Sequence, residues 1–194
     1  MNLCEFHIAK NKGFLYNIVV GREDYKIVLL EENMIDSRKL KVYLDTSVIS
    51  YLKQDDAPEK TGITLNLWEK FKTGIYDICI SQITIDEMNE CPEPKLSFLK
   101  TKLSEIKYIN FKLDDKCFEL AKEIIEKGIL PRKSIDDSYH IAIAMINGCD
   151  IITSWNFKHI VNIQTINGTR TISQLKGYKD INVLNPLTLL EMEV

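Results

Sequence analysis

From Lys41 onward, short apolar runs with the length of buried strands alternate with segments whose apolar residues recur at helical spacing. This alternation constrains the fold more than any other feature of the chain. Lys41–Leu44 is a four-residue run ending at Asp45 and followed by the helix-like Val48–Lys53. Leu65, Trp68 and Phe71 place a helical stripe in Gly62–Lys72. Asp77–Ile80 reads as a strand and Thr84–Glu90 as a helix stopped by Cys91-Pro-Glu-Pro94. A helix over Lys95–Glu105 precedes a strand near Tyr108–Phe111. Phe118, Ala121, Ile124 and Ile125 mark another helix, closed by Gly128. Ser134–Asn147 reads as a helix, Asp150–Thr153 as a strand and Ile181–Leu184 as a strand. Pro186–Met192 follows as a helix with proline at its start. Strands separated by helical segments predict an α/β fold: a mostly parallel central sheet flanked by helices on both faces.

Residues 1–39 have a different texture. The apolar runs Phe14–Val20 and Tyr25–Leu30 flank Gly21-Arg-Glu-Asp24, which reads as a β-hairpin with a four-residue turn, and Glu31–Lys39 reads as a connector. The expected organisation is an N-terminal extension over 1–39 and one domain over 40–194. With 45% hydrophobic and 27% charged residues, the chain can bury a core. A net charge of -3 and a pI near 5.7 argue against a broadly basic protein that coats nucleic acid. They leave room for an enzyme that grips phosphate through metal ions. The five cysteines are scattered, without a C-x-x-C pair, as expected for reduced thiols. MNLCEFHIAKNKGFLY shows no apolar h-region, and no uncharged apolar run reaches the roughly 18 residues that span a bilayer. We therefore expect a cytoplasmic protein with no membrane partner.

Ligands of an open parallel sheet bind beyond the carboxyl ends of its strands. Asp45, with Thr46 and Ser47, follows the first strand there, and Glu87 sits on the helix after the strand ending at Ile80. Asp136 and Asp137 open the helix Ser134–Asn147, and Asn156 follows Asp150–Thr153. Asp150 begins its strand and is expected at the opposite edge. Carboxylates crowded together repel unless a cation neutralises them, so the set predicts a hard-metal site for Mg²⁺ or Mn²⁺. No thiolate or imidazole cluster competes for zinc.

Each residue also has a purely structural reading. Asp45 can cap the helix that follows it. Ser134 and Asp137 have capping-box spacing. Glu87 reads as a solvated helix carboxylate, Asn156 as a turn residue, His140 as a packed helix histidine and His159 as a surface group. Arg132, Lys133 and Lys158 lie where phosphates would meet the rim, or are solvated charges. Trp155 either stacks a base or belongs to the core. Four segments converging on one edge favour the functional reading of the set.

Those segments also carry a family resemblance. V-Y-L-D-T-S-V-I-S at Val42–Ser50 resembles the opening strand and first acid of PIN domains. I-S-Q-I-T-I-D-E-M at Ile80–Met88 resembles their second-acid segment, with the match on Glu87 rather than Asp86. D-D-S-Y-H-I-A-I-A at Asp136–Ala144 resembles the third-acid helix, with Asp137 in the family position. C-D-I-I-T-S-W-N-F-K-H-I at Cys149–Ile160 and N-P-L-T-L-L-E at Asn185–Glu191 resemble the fourth segment and the ending of one branch. The resemblance covers Lys41–Glu193. It implies a PIN-like fold and a nuclease centre of three or four acids with Mg²⁺ or Mn²⁺. In VapC-type toxins such a centre cleaves RNA and is silenced by an antitoxin protein; a homodimer is also known in the family. By this resemblance Asp45, Glu87 and Asp137 are the catalytic and metal-binding acids, Asp136 and Asn156 further candidate ligands, and Thr46 and Ser47 accessory groups. Two departures stand out. The fourth acid position is often aspartate and here is Asn156, and the family usually begins near the first strand, so residues 1–39 are extra. They read as an added hairpin, an antitoxin-like docking piece or an upstream artefact of gene-start assignment.

The rival readings differ in class. A PIN-like module with little or no turnover, binding RNA or protein, is favoured by Asn156 and opposed by the three acids together. A phosphohydrolase with Asp45 as nucleophile wants a second aspartate two residues on, where Ser47 stands. A dinucleotide-binding fold wants a glycine-rich first turn, and D-T-S-V-I-S has none. The expected reaction is hydrolysis of an RNA phosphodiester to a 3′-hydroxyl and a 5′-phosphate.

Overall fold

The stretch F-H-I-A-K-N, linked through Lys12-Gly13 to F-L-Y-N-I-V, forms β1 (Phe6–Asn11) and β2 (Phe14–Val19). They pair antiparallel with Asn11 opposite Phe14 and Phe6 opposite Val19, and a two-residue link suits such a hairpin. The computed structural model describes these two strands by their backbone and residues 38–193 in full. Within the run expected as the first arm of the hairpin, Phe14–Val19 is thus a strand, but it pairs here with a strand on its N-terminal side that has no counterpart in the sequence reading. The expected turn Gly21–Asp24, its second arm Tyr25–Leu30 and the connector up to residue 37 lie outside the described residues, as does Cys4. The chain divides into two units, Met1–Arg38 and Lys39–Val194.

In the second unit, a strand covered on both faces must be apolar on both, and Val42, Tyr43 and Leu44 are all fully buried. They belong to β3 (Lys41–Leu44), the centre of a five-stranded sheet with β4 (Asp77–Ser81), β5 (Tyr108–Phe111), β6 (Ile151–Thr153) and β7 (Asn182–Leu184). The order is β5-β4-β3-β6-β7 and every neighbouring pair is parallel. The chain runs outward from β3 through β4 to β5, then returns to the other side of β3 as β6 and β7. The reversal beside β3 opens a crevice at the carboxyl ends.

Alternate strand residues feed two cores. Val42, Leu44, Ile78, Ile80 and Ile151 pack with α1 (Thr46–Ser50), α2 (Pro58–Lys72), α3 (Gln82–Asn89), α4 (Lys95–Ser104) and α8 (Pro186–Glu191). Tyr43, Cys79 and Ile152 face the other core, with α5 (Asp115–Glu126), α6 (Ile135–Ile146) and α7 (Ile163–Lys176). The caps follow from local chemistry. Pro58 opens α2, the Asp114 carboxylate accepts the Cys117 N–H at 2.9 Å to start α5, and Asn162 accepts the Thr165 N–H at 3.0 Å to start α7.

Helix α7 has no counterpart in the sequence reading. Its buried residues are Thr165, Thr169, Ile172 and Ser173, so the usual apolar stripe is absent. It packs through small residues instead: a Cβ on Gly168 would lie 2.6 Å from the Ile129 side chain. Cys79, Cys91, Cys117 and Cys149 are free thiols, and no described helix is long and apolar enough to cross a membrane.

Candidate active site

Asp45 directly follows β3 at the crevice. Its extended backbone (φ -66°, ψ 151°) makes it the N-cap of α1, and its Oδ2 accepts the Ser47 N–H at 3.3 Å. The same oxygen accepts the hydroxyls of Ser47 and, at 2.7 Å, Ser154. Ser154 arrives on the neighbouring strand end, β6, and the Trp155 N–H donates to Ser47 Oγ at 2.9 Å. The capping reading of Asp45 is therefore realised, with the carboxylate at the crevice. The side chain is buried, and among the described residues its Oδ1 accepts no hydrogen bond.

Glu87 comes from α3, whose start is fixed by the Ser81–Thr84 capping box. Its Oε2 accepts the Thr46 hydroxyl and faces His140 Nε2 at 3.3 Å; its Oε1 accepts nothing among the described residues. The adjacent Asp86 is exposed and bonded to Gln82 at 2.8 Å, so Glu87 is the acid at the crevice. Burial pushes the Glu87 carboxyl up, but the hydrogen bond and charge of His140, with Thr46, hold it below its usual range.

His140 is the group the sequence reading undervalued. It is 2% exposed, and its Nε2 lies 3.7 Å from Asp45 Oδ1 as well as 3.3 Å from Glu87 Oε2. Its Nδ1 lies 2.7 Å from the Tyr43 hydroxyl, which donates to Ser81 Oγ at 2.7 Å. Burial works against the charged ring, yet Tyr43, Glu87 and Asp45 together raise its affinity for a proton well above the ordinary. It is a packed helix histidine, and it also joins two of the acids.

Asp137 enters from the first turn of α6, where its Oδ1 accepts the Asn156 amide at 2.7 Å. Asn156 Oδ1 in turn accepts the His159 N–H at 3.0 Å. Both ends of the amide are engaged, so Asn156 orients an acid and shapes the turn after β6. Burial, joined by the charge of Asp45, raises the Asp137 carboxyl despite the opposing pull of Ser134 and the nearby histidines. The capping box expected from Ser134 and Asp137 is not formed: Ser134 makes no capping bond because its residue belongs to a 3-10 turn, Arg132–Ser134. Asp136 is exposed and shares no hydrogen bond with the other acids. Asp150 lies at the opposite edge, accepting the Lys41 N–H at 2.9 Å and pairing with Lys179.

Of the basic candidates, Lys133 and Lys158 line a groove of about 500 Å³ with His159, Asn162 and Gln164. Arg132 is exposed beside it. A second cavity, about 490 Å³, lies at the amino-terminal edge around Lys39, Tyr76 and Asp77, away from the acids. Trp155 is core: it is 7% exposed and its ring N–H donates to Thr64 at 2.8 Å.

The donor set suits a hard cation. It is all oxygen, Asp45 and Asp137 repel one another, and Asp45 and Glu87 each hold one oxygen in the network and, among the described residues, leave the other without a hydrogen bond. Among the described residues, no three His, Cys, Asp or Glu side chains are gathered closely enough to share one ion. Closure on a cation therefore requires side chains to turn inward.

The sequence model of the PIN-domain family matches residues 42–156. No curated protein matches the chain. A similar solved structure is that of VapBC2 from Rickettsia felis bound to a DNA fragment from their promoter. It has 18% identity and a TM-score of 0.46, covering 75% of this chain and 98% of that one.

Proposed function

The chain belongs to the PIN-domain family, and from that premise we propose that it is a Mg²⁺- or Mn²⁺-dependent endoribonuclease, the VapC-type toxin of a toxin–antitoxin pair, acting in the cytoplasm. One observation carries the reading. Asp45, Glu87 and Asp137 come from three separate segments at the carboxyl edge of the sheet: His140 lies between Asp45 and Glu87, and Asn156 bonds Asp137 through its amide and, through its backbone N–H, Ser154, which holds Asp45.

Asp45, Glu87 and Asp137 would hold the ion. Bound there, it would neutralise the acids, contact a phosphate oxygen and make a water more acidic. The remaining work falls to the chain. Ser47 and Ser154 fix one oxygen of Asp45, Thr46 fixes one of Glu87, and Asn156 fixes one of Asp137. As an amide, Asn156 donates to Asp137, which an aspartate at that position could not do without a proton. Lys133 and Lys158, with Arg132, supply cations for the RNA backbone at the rim. Water adding across the P–O3′ bond leaves a 3′-hydroxyl and a 5′-phosphate. The motifs of the VapC-type branch support an antitoxin partner and a homodimer, with residues 1–39 as an appendage to the domain over 40–194.

The test is cleavage of unstructured and structured RNA with Mg²⁺, with Mn²⁺ and with EDTA. Cutting is expected with either metal and is expected to vanish in EDTA. Asp136→Asn, which removes an exposed carboxylate outside the cluster, should cut within about twofold of the original chain, since surface changes of this kind alter little. A folded chain that binds metal and RNA but cuts neither substrate would transfer the assignment to a non-catalytic PIN-like module.

A further inference from the structure

The candidate cleft has an aromatic flank that the acids do not use. Tyr51 stands one helical turn after Ser47, on the same face of the segment that begins with α1. Its ring lies 5.9 Å from that of Trp155, and the Trp155 ring lies 6.1 Å from that of Phe157. Phe157 directly follows Asn156, the residue bonded to Asp137, and is 47% exposed. The cluster is thus tied to Asp45 through Ser47 and to Asp137 through Asn156.

Lys60, near the start of α2, places its ammonium 4.9 Å from the Tyr51 ring centroid, 5.3 Å from that of Trp155 and 5.5 Å from that of Phe157. Its hydrogen-bond partner is the Tyr51 hydroxyl at 3.4 Å, and among the described residues it has no carboxylate partner. A cation held against three rings and left unpaired beside a cleft suits an anion carrying a flat apolar group. A nucleotide is both: the base stacks on a ring while the phosphate meets the ammonium. Lys158 and His159, the next two residues, turn instead to the basic groove with Lys133. Aromatic and basic flanks therefore leave Asn156 in different directions.

We propose that Tyr51, Phe157 and Lys60 form a subsite for one unpaired nucleotide of RNA, adjoining the phosphate that is cut. Trp155 is its buried floor. The inference rests on the nuclease reading and narrows its substrate to single-stranded RNA, because a base inside a duplex has no free face for Phe157.

The test measures binding without turnover. A fluorescein-labelled single-stranded RNA decamer and the same sequence as a blunt duplex are titrated in EDTA, by anisotropy, against the original chain, Phe157→Ala, Lys60→Gln and Phe157→Tyr. Loss of one stacked base is worth about tenfold in affinity. Phe157→Ala and Lys60→Gln are expected to weaken single-strand binding by about tenfold and about threefold, and Phe157→Tyr is expected to retain it. Single-strand affinities within twofold of the original in both variants overturn the proposal. So does equal affinity for the duplex, or no binding of the single strand by the original chain at 100 µM. Cleavage assayed in parallel with Mg²⁺ separates the two readings. Binding through Phe157 and Lys60 without any cutting removes the nuclease and leaves the subsite. Cutting with an unchanged KM in both variants removes the subsite and leaves the nuclease.

Discussion

Asp45→Asn is expected to lower RNA cleavage by on the order of a thousandfold while leaving the protein folded. Asp45 is the acid most firmly placed by the fold: it caps α1, directly follows the central strand, and is held through Oδ2 by Ser47 and Ser154. Asparagine keeps the size and the capping oxygen, so α1 should start as before. What it removes is one negative charge beside Asp137 and Glu87. A hard cation there is held mainly by that charge, so metal affinity should fall with turnover. Stability should move the other way. Burial and the charge of Asp45 both press on the Asp137 carboxyl, and removing the charge relieves that repulsion. Thermal melting without metal should therefore give a Tm equal to or above that of the original chain. Cleavage at more than a tenth of the original rate would remove Asp45 from the centre. A collapse of Tm would show that its role is structural.

The place of the candidate acids in the fold was legible because the signals that mark them are short stretches of sequence. A short buried run ending in a polar residue marks the carboxyl end of a strand, and this places Asp45. The choice within each adjacent pair, Glu87 over Asp86 and Asp137 over Asp136, came from the family motif. Its physical basis is that neighbours on a helix point about 100° apart, so only one of each pair reaches the crevice. The same geometry contained the signal for His140, three residues after Asp137 and hence on the same face. Its meaning depended on Tyr43 and Ser81, which arrive from strands distant in sequence. Helix α7 escaped for a different reason: it buries threonine, serine and glycine, so there was no apolar period to read. At the N-terminus, F-H-I-A-K-N mixes apolar and polar residues without a continuous apolar run, so its pairing with Phe14–Val19 has a weaker signal than the two apolar runs around the polar turn.

His140→Ala is expected to destabilise the protein by about 3–5 kcal/mol, a large share of the stability of a domain this size. The imidazole is fully buried and its two nitrogens serve opposite sides, Tyr43 at 2.7 Å and the carboxylates of Glu87 and Asp45 at 3.3 and 3.7 Å. Alanine leaves a cavity, leaves the Tyr43 hydroxyl with Ser81 as its one partner and removes the donor shared by two carboxylates on the other side. Each is a separate cost, and the last is the largest because like charges then face one another in a partly buried site. Tyr43→Phe removes only the outer link and is expected to cost about 1–3 kcal/mol. If the histidine acts through one connected network, the double variant should cost less than the sum of the two, by about 1 kcal/mol or more. Urea denaturation of the four proteins measures all three terms. Simple additivity would mean that Tyr43 and His140 are packed neighbours without shared purpose. A His140→Ala protein as stable as the original would mean that the acids need no donor between them, and the organisation of the site would then have to rest on Ser47, Ser154 and Asn156 alone.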